Sequence, residues 1–238
     1  MCRMFAYYGS SSRMLNELIS CLKMSSEKDP LNGRPHDSGW GYVIIKRDSI
    51  SYYRSGKPIF RESVPVFLED DDMIAIFHAR KATTGKIGSQ FSHPYMETNI
   101  EGTHFFAHNG TVNKEELGKK MGLTQKEFSK YVDSELAFKY YLSTRDIETI
   151  KQATETALNI FYAKVDRDTQ DVELKYLNYT TPDHDKPYYH LYMDTSDGIA
   201  IYSSSLAFIC KGLSRQRVPQ GFNIVGRMKI EEKELQLA

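Results

Sequence analysis

The amino-acid sequence predicts an α+β fold, a single domain over residues 2–238 with largely antiparallel sheet. Two observations carry that expectation. Strand-like runs rich in aromatic and β-branched residues occupy both ends of the chain around a central block of helical periodicity. No repeat, low-complexity tract or linker divides the chain.

The elements follow in order. RMFAYYG is a short first strand, and Ser10 to Ser26 is a helix, with Met14, Leu15, Leu18, Ile19 and Leu22 on one face behind a serine run suited to capping. The turn-rich DPLNGRPHDSG leads into WGYVIIKRDSISYYRSGK, which reads as two meander strands. MIAIFHA (73–79) and THFFAH (103–108) are apolar runs of buried-strand length. Helices are expected near 115–121, 125–131, 134–142 and 148–162, with Thr124 and Glu127 spaced as a capping box. VELKYLNYT, YYHLYMDT, GIAIYS and FNIVGRMKI return to sheet.

Composition narrows the function classes. With 31 basic and 31 acidic residues the net charge is zero, so no electrostatic case exists for nucleic acid or a membrane surface. A 40% hydrophobic and 12% aromatic content argues for a folded chain. No apolar stretch is long enough to span a bilayer and no secretory signal is visible, so a cytoplasmic location is expected. Cys2, Cys21 and Cys210, odd in number and far apart, suggest neither a disulfide framework nor a metal half-site.

Several residues invite a chemical role. Cys2, taken alone, reads as a small apolar residue opening a strand. If Met1 is removed, however, it carries a thiol and a free α-amine together, and the amine's reference pKa of about 7.7–8.0 makes it a usable base. In HARKATTG, Arg80 stands where a strand leaves the core, able to hold a carboxylate, with Thr83 nearby. In FAHNGTV, Asn109-Gly110 has the form of a hairpin turn, yet a lysine-rich helical pattern follows instead of a return strand. The Asn109 amide and Gly110 N–H could then converge on an oxyanion. Asp133 opens a helix, most simply as its N-cap, where its charge could also meet an ammonium group. His104 and His108, about 13 Å apart on a strand, cannot share a metal. The other histidines, His93 included, show no ligand spacing, and no cofactor is expected.

Taken in order, MCRMFAYYG, HDSGWGYV, HARKATTG, SHPY, FAHNGTV and DSELAF resemble the class II glutamine amidotransferases, N-terminal-nucleophile hydrolases, and among them the stand-alone type that begins Met-Cys-Arg. The resemblance is strong over residues 2–138 and weaker to the end. It implies a four-layer αββα sandwich of two antiparallel sheets between helical layers. It also implies roles: Cys2 as nucleophile, Asn109 and Gly110 as oxyanion hole, Arg80 on the glutamine α-carboxylate, Asp133 on the α-ammonium, and Thr83 and His93 lining the glutamine pocket.

The implied reaction passes through a γ-glutamyl thioester on Cys2 and yields ammonia and glutamate. The implied partner is glutamine or another γ-glutamyl small molecule. Since no synthase domain follows in this sequence, a separate synthase subunit would accept the ammonia. The alternatives are a hydrolase of another γ-glutamyl amide or peptide, and a silent domain that senses glutamine or binds a protein. One departure stands out: Ser38 precedes Gly-Trp-Gly where the stand-alone relatives have an acidic residue, and Asp37 lies one position earlier.

Overall fold

The computed structural model describes residues 2–82 and 86–231. Its elements are β1 (Arg3–Gly9), α1 (Ser12–Glu27), β2 (Trp40–Lys46), β3 (Ile50–Ser55), β4 (Met73–Ala79), β5 (Tyr95–Asn99), β6 (Gly102–Val112), α2 (Lys114–Lys120), α3 (Gln125–Phe128), α4 (Asp133–Thr144) and α5 (Ile147–Gln152). There follow β7 (Thr154–Asp166), β8 (Asp171–Asn178), β9 (Leu191–Asp194), β10 (Ile199–Ser203), α6 (Ser204–Ile209), β11 (Gln216–Arg217) and β12 (Gly221–Lys229).

Among the described residues the strands form two antiparallel sheets, one ordered β11-β9-β10-β1-β4-β2-β3 and the other β12-β8-β7-β6-β5. Alternation along the strands sorts the side chains into layers. From β1, Met4 and Ala6 join Ile74 and Ile76 of β4, and these meet Phe105, Ala107, Phe161 and Ala163 of the second sheet between the two sheets. The other face of β1, Phe5 and Tyr7, packs with Leu15, Leu18 and Leu22 of α1 and Leu206 of α6. On the far side of the second sheet, Phe106, Leu158 and Ile160 pack against Leu117, Leu136, Phe138 and Ile150 of the central helices. The order of layers is therefore helix, sheet, sheet, helix.

Local signals explain most boundaries. The Ser11 side chain accepts the Met14 N–H at 3.2 Å and starts α1. Glu127 reaches back to the Thr124 N–H at 2.7 Å, as the capping box requires. Asn109-Gly110 makes no hairpin, because β6 runs straight through it and its register against β7 shifts only between Gly110 and Val112.

Three expectations are corrected. The helix expected over 148–162 ends at Gln152, and the rest is β7. Both faces of β7 are buried, Phe161 and Ala163 toward the first sheet and Leu158 and Ile160 toward the helices. Its apolar run is therefore continuous, and periodicity alone cannot separate such a run from a buried helix. Asp133 is the first helical residue rather than the cap, which is Val132. Finally, Cys21 and Cys210 are joined by a disulfide with Cα atoms 5.9 Å apart, leaving Cys2 as the free cysteine. Their separation of 189 residues in sequence hid the fact that α1 and α6 pack side by side on one face of the first sheet.

At one end of the gap between the sheets, His78 of β4 donates from Nε2 to the His108 carbonyl of β6 at 3.2 Å. His78 Nδ1 and both ring nitrogens of His93 have no hydrogen-bond partner among the described residues. The His93 ring lies 4.2 Å from that of His78 and 4.5 Å from Tyr95. Burial pushes the His78 pKa down to about 3, and burial followed by the neighbouring positive groups drives that of His93 well below the usual range.

Two outcomes follow from this architecture. Alkylation of the denatured protein without reductant should modify Cys2 alone, and reduction should expose Cys21 and Cys210 as well, as read by intact mass. In acid, the unfolded chain protonates His78 and His93 below their ordinary pKa of about 6.5 while the folded chain resists, so stability falls as pH falls. Between pH 7 and 5 each histidine should cost at most about 2 kcal/mol. Urea unfolding of His93→Phe should show a shallower pH dependence than the parent.

Candidate functional site

Strand register brings Cys2, Arg80 and Asn109 to one end of the inter-sheet gap. In the pairing of β1 with β4, Arg3 stands opposite Ala79, so Cys2 lies beside Arg80 and Lys81. The Lys81 N–H donates to Cys2 Sγ at 3.4 Å. Cys2 shares the alternation of Met4 and Ala6, and Asn109 that of Phe105 and Ala107, so both point between the sheets. They meet across 107 residues of chain: the Cys2 backbone nitrogen donates to Asn109 Oδ1 at 2.8 Å. That bond fixes the amide's orientation, and Nδ2 faces away with no partner among the described residues.

Gly110 is held by a steric constraint. A Cβ there would stand 1.6 Å from the Ala157 carbonyl oxygen and 2.6 Å from His108 Nε2, so no side chain fits without moving β7. Two residues on, the Val112 N–H donates to Asp133 Oδ2 at 3.3 Å, which ties the start of α4 to the end of β6. Asp133, Thr111 and Val112, with Lys86, Phe91 and Glu155, line a cleft of about 450 Å³.

Arg80 is a buried guanidinium whose partners are carbonyls: Nη1 donates to Lys86 O at 3.0 Å and to Ser38 O at 3.5 Å. No carboxylate pairs with it among the described residues. The backbones of 38–39 and 80 are stitched together, Ser38 N–H to Arg80 O at 3.0 Å and Arg80 N–H to Gly39 O at 2.8 Å. Ser38 therefore contributes through its main chain, and its hydroxyl donates to Asp37 at 3.2 Å. Asp37 pairs with Lys81 Nζ at 3.2 Å; burial raises its carboxyl, but the lysine outweighs that and leaves it below the usual range. Gly39, at φ +117°, admits no Cβ because Ser92 Oγ and the Ser55 carbonyl fill the space.

His93 is buried behind these residues, its ring tilted against that of His78 and edge-on to that of Tyr95, and does not line the cleft. Thr83 and Met1 lie outside the described residues. His104 and His108 are engaged separately, His104 with Tyr162 and Asn99 and His108 with Ser134. Among the described residues no cluster of His, Cys, Asp and Glu has the form of a metal site, and no helix is long and apolar enough to cross a membrane.

Sequence reasoning missed Arg3, Asp29 and Asn159. Arg3 Nη1 donates to the Cys2 carbonyl at 3.0 Å, and its Nε pairs with Asp29 Oδ2 at 2.5 Å. Burial alone would raise the Asp29 carboxyl, but Arg3, with the Leu31 N–H and the Ser205 hydroxyl, holds it low. The available signal was the arginine itself: a charge inside an apolar strand requires a buried partner. Asn159 stands opposite Asn109 in the pairing of β6 with β7 and donates to the Tyr189 carbonyl at 2.7 Å.

Residues 1–172, which hold every candidate residue, match the family described as glutamine amidotransferases class-II. No curated protein matches the chain. Among solved structures, the glutamine phosphoribosylpyrophosphate amidotransferase from B. subtilis complexed with ADP and GMP is 15% identical with a TM-score of 0.58, the match covering 98% of this chain and 50% of that one. A structure described as the allosteric regulatory enzyme of purine biosynthesis is 16% identical with a TM-score of 0.61, again covering 98% and 50%. At such identities the likeness concerns the fold, that of the N-terminal-nucleophile hydrolases. The chain spans about half the length of both structures. Because the family match extends over well more than half of its residues, the chain belongs to the class II glutamine amidotransferases.

Proposed function

We propose that the chain hydrolyses the γ-carboxamide of glutamine with Cys2 as an N-terminal nucleophile. The observation that carries this reading is the 2.8 Å bond between the Cys2 nitrogen and Asn109 Oδ1. A single amide orients the nitrogen that serves as base and leaves its own Nδ2 turned to a neighbouring point, where an oxyanion can accept it.

The reaction runs in two halves. After removal of Met1, the Cys2 amine takes the thiol proton and the sulfur attacks the γ-carbonyl carbon. Asn109 Nδ2 and the Gly110 N–H hold the resulting oxyanion. Collapse breaks the C–N bond, the amine passes its proton to the leaving nitrogen, and ammonia departs. Water then adds to the γ-glutamyl thioester with the amine again as base, and the C–S bond breaks to give glutamate and free thiol. Arg80, with no carboxylate partner among the described residues, suits the α-carboxylate, and Asp133, at the cleft, suits the α-ammonium. A separate ammonia-accepting protein completes the amidotransferase reading, since amidotransfer requires an acceptor.

The test is glutamate release by protein whose mass shows that Met1 is gone, with glutamine and a panel of other γ-glutamyl amides as substrates. Cys2→Ala should abolish release, and activity surviving in that variant would sink the mechanism. Asn109→Ala should lower kcat by about 10²- to 10³-fold with little change in KM. Arg80→Ala should act chiefly by raising KM, as loss of a contact made equally in ground and transition states does.

A further inference from the structure

We propose that Arg3 is a positioning residue for Cys2, an inference that rests on the reading of Cys2 as nucleophile. Alternation sends Arg3 to the face of β1 opposite the thiol, into the layer of α1 and α6. There it forms an ion pair with Asp29 in which both side chains are fully buried, at 0% exposure each. Around it the guanidinium lies 4.0 Å from the centre of the Tyr188 ring, and Nη1 donates to the Tyr188 carbonyl at 3.3 Å as well as to the Cys2 carbonyl at 3.0 Å. Asp29 is fixed in turn by the Ser205 hydroxyl and the Leu31 N–H, both at 2.9 Å, with His36 Nε2 at 3.8 Å.

A buried ion pair is a poor source of net stability, because desolvation of both charges offsets most of their attraction; two apolar residues of similar volume hold a fold as well or better. What an apolar pair cannot do is donate to the Cys2 carbonyl. Cys2 precedes the first residue of β1, so its aim depends on contacts at three of its atoms: the Lys81 N–H and carbonyl at Sγ, Asn109 at the nitrogen, and Arg3 at the carbonyl. The first two are in the gap between the sheets, where substrate would enter. Arg3 alone grips the residue from behind, through a fork braced by α6, the turn at 187–189 and the loop after α1. Its charge, already spent on Asp29, matters less here than its geometry.

The experiment compares Arg3→Met/Asp29→Leu and Arg3→Lys with the parent. The double variant leaves no unpaired buried charge and should keep its melting temperature within a few degrees. Its kcat for glutamate release should fall at least tenfold while KM stays within about twofold. Arg3→Lys keeps the charge toward Asp29 but not the fork, and should lose kcat in the same way. Amide exchange in the N-terminal peptide should be at least tenfold faster in both variants. A folded double variant with parental kcat and parental exchange overturns the proposal, and if the double variant does not fold, parental values in Arg3→Lys do so. If the processed parent cleaves no γ-glutamyl compound, the nucleophile reading fails separately, and the exchange rates still decide whether Arg3 holds the Cys2 end.

Discussion

The pairing of β1 with β4 is the constraint from which the rest of the site follows. In an antiparallel ladder a slip of one residue would turn every side chain to the other face. With Arg3 opposite Ala79, Met4 and Ala6 go into the inter-sheet core, and Cys2 goes to the mouth of that core beside Arg80 and Lys81. The same step sends Arg3 to the opposite face, where Asp29 meets it. One register therefore aims the thiol inward, seats an arginine next to it, and places the candidate carboxylate clamp within two residues of the sulfur's donor.

The second sheet contributes by the same rule. β6 must reach the end of the gap with an odd-numbered residue facing Cys2, and Asn109 is that residue. The glycine behind it is required by the closeness of the Ala157 carbonyl rather than by an unusual backbone angle. His78, bridging to the His108 carbonyl, ties the two sheets at the same end. The site is thus assembled from two layers whose relative placement is set by apolar packing and checked by single hydrogen bonds.

Much of this was legible in the sequence, for identifiable reasons. α1 carries a clean helical period, β1 and β4 are short apolar runs of strand length, and the segment after Asn109-Gly110 is too helical for a hairpin, although the expected strand stops at His108 where β6 continues to Val112. Cys2, Arg80, Asn109 and Asp133 were legible as separate possibilities, and a family resemblance joined them. β7 was misread because burial on both faces erases the period that distinguishes strand from helix. The partner of Arg3 was invisible because Asp29 sits in DPLNG, where an aspartate is ordinarily a turn former, and only the tertiary fold carries it beneath β1. His93 reached the interior with no hydrogen bond to either nitrogen among the described residues, which no local pattern signals.

The disulfide between Cys21 and Cys210 has a consequence for how the chain responds to proteases. It closes a covalent loop around most of the chain, from the middle of α1 to the residue after α6. A single cut in any surface turn between those cysteines would leave one molecule of unchanged mass apart from the added water, and only reductant would separate its fragments. The piece bearing Cys2 would then be released together with α1, so nicking need not detach the amino-terminal strand from the layer that supports it.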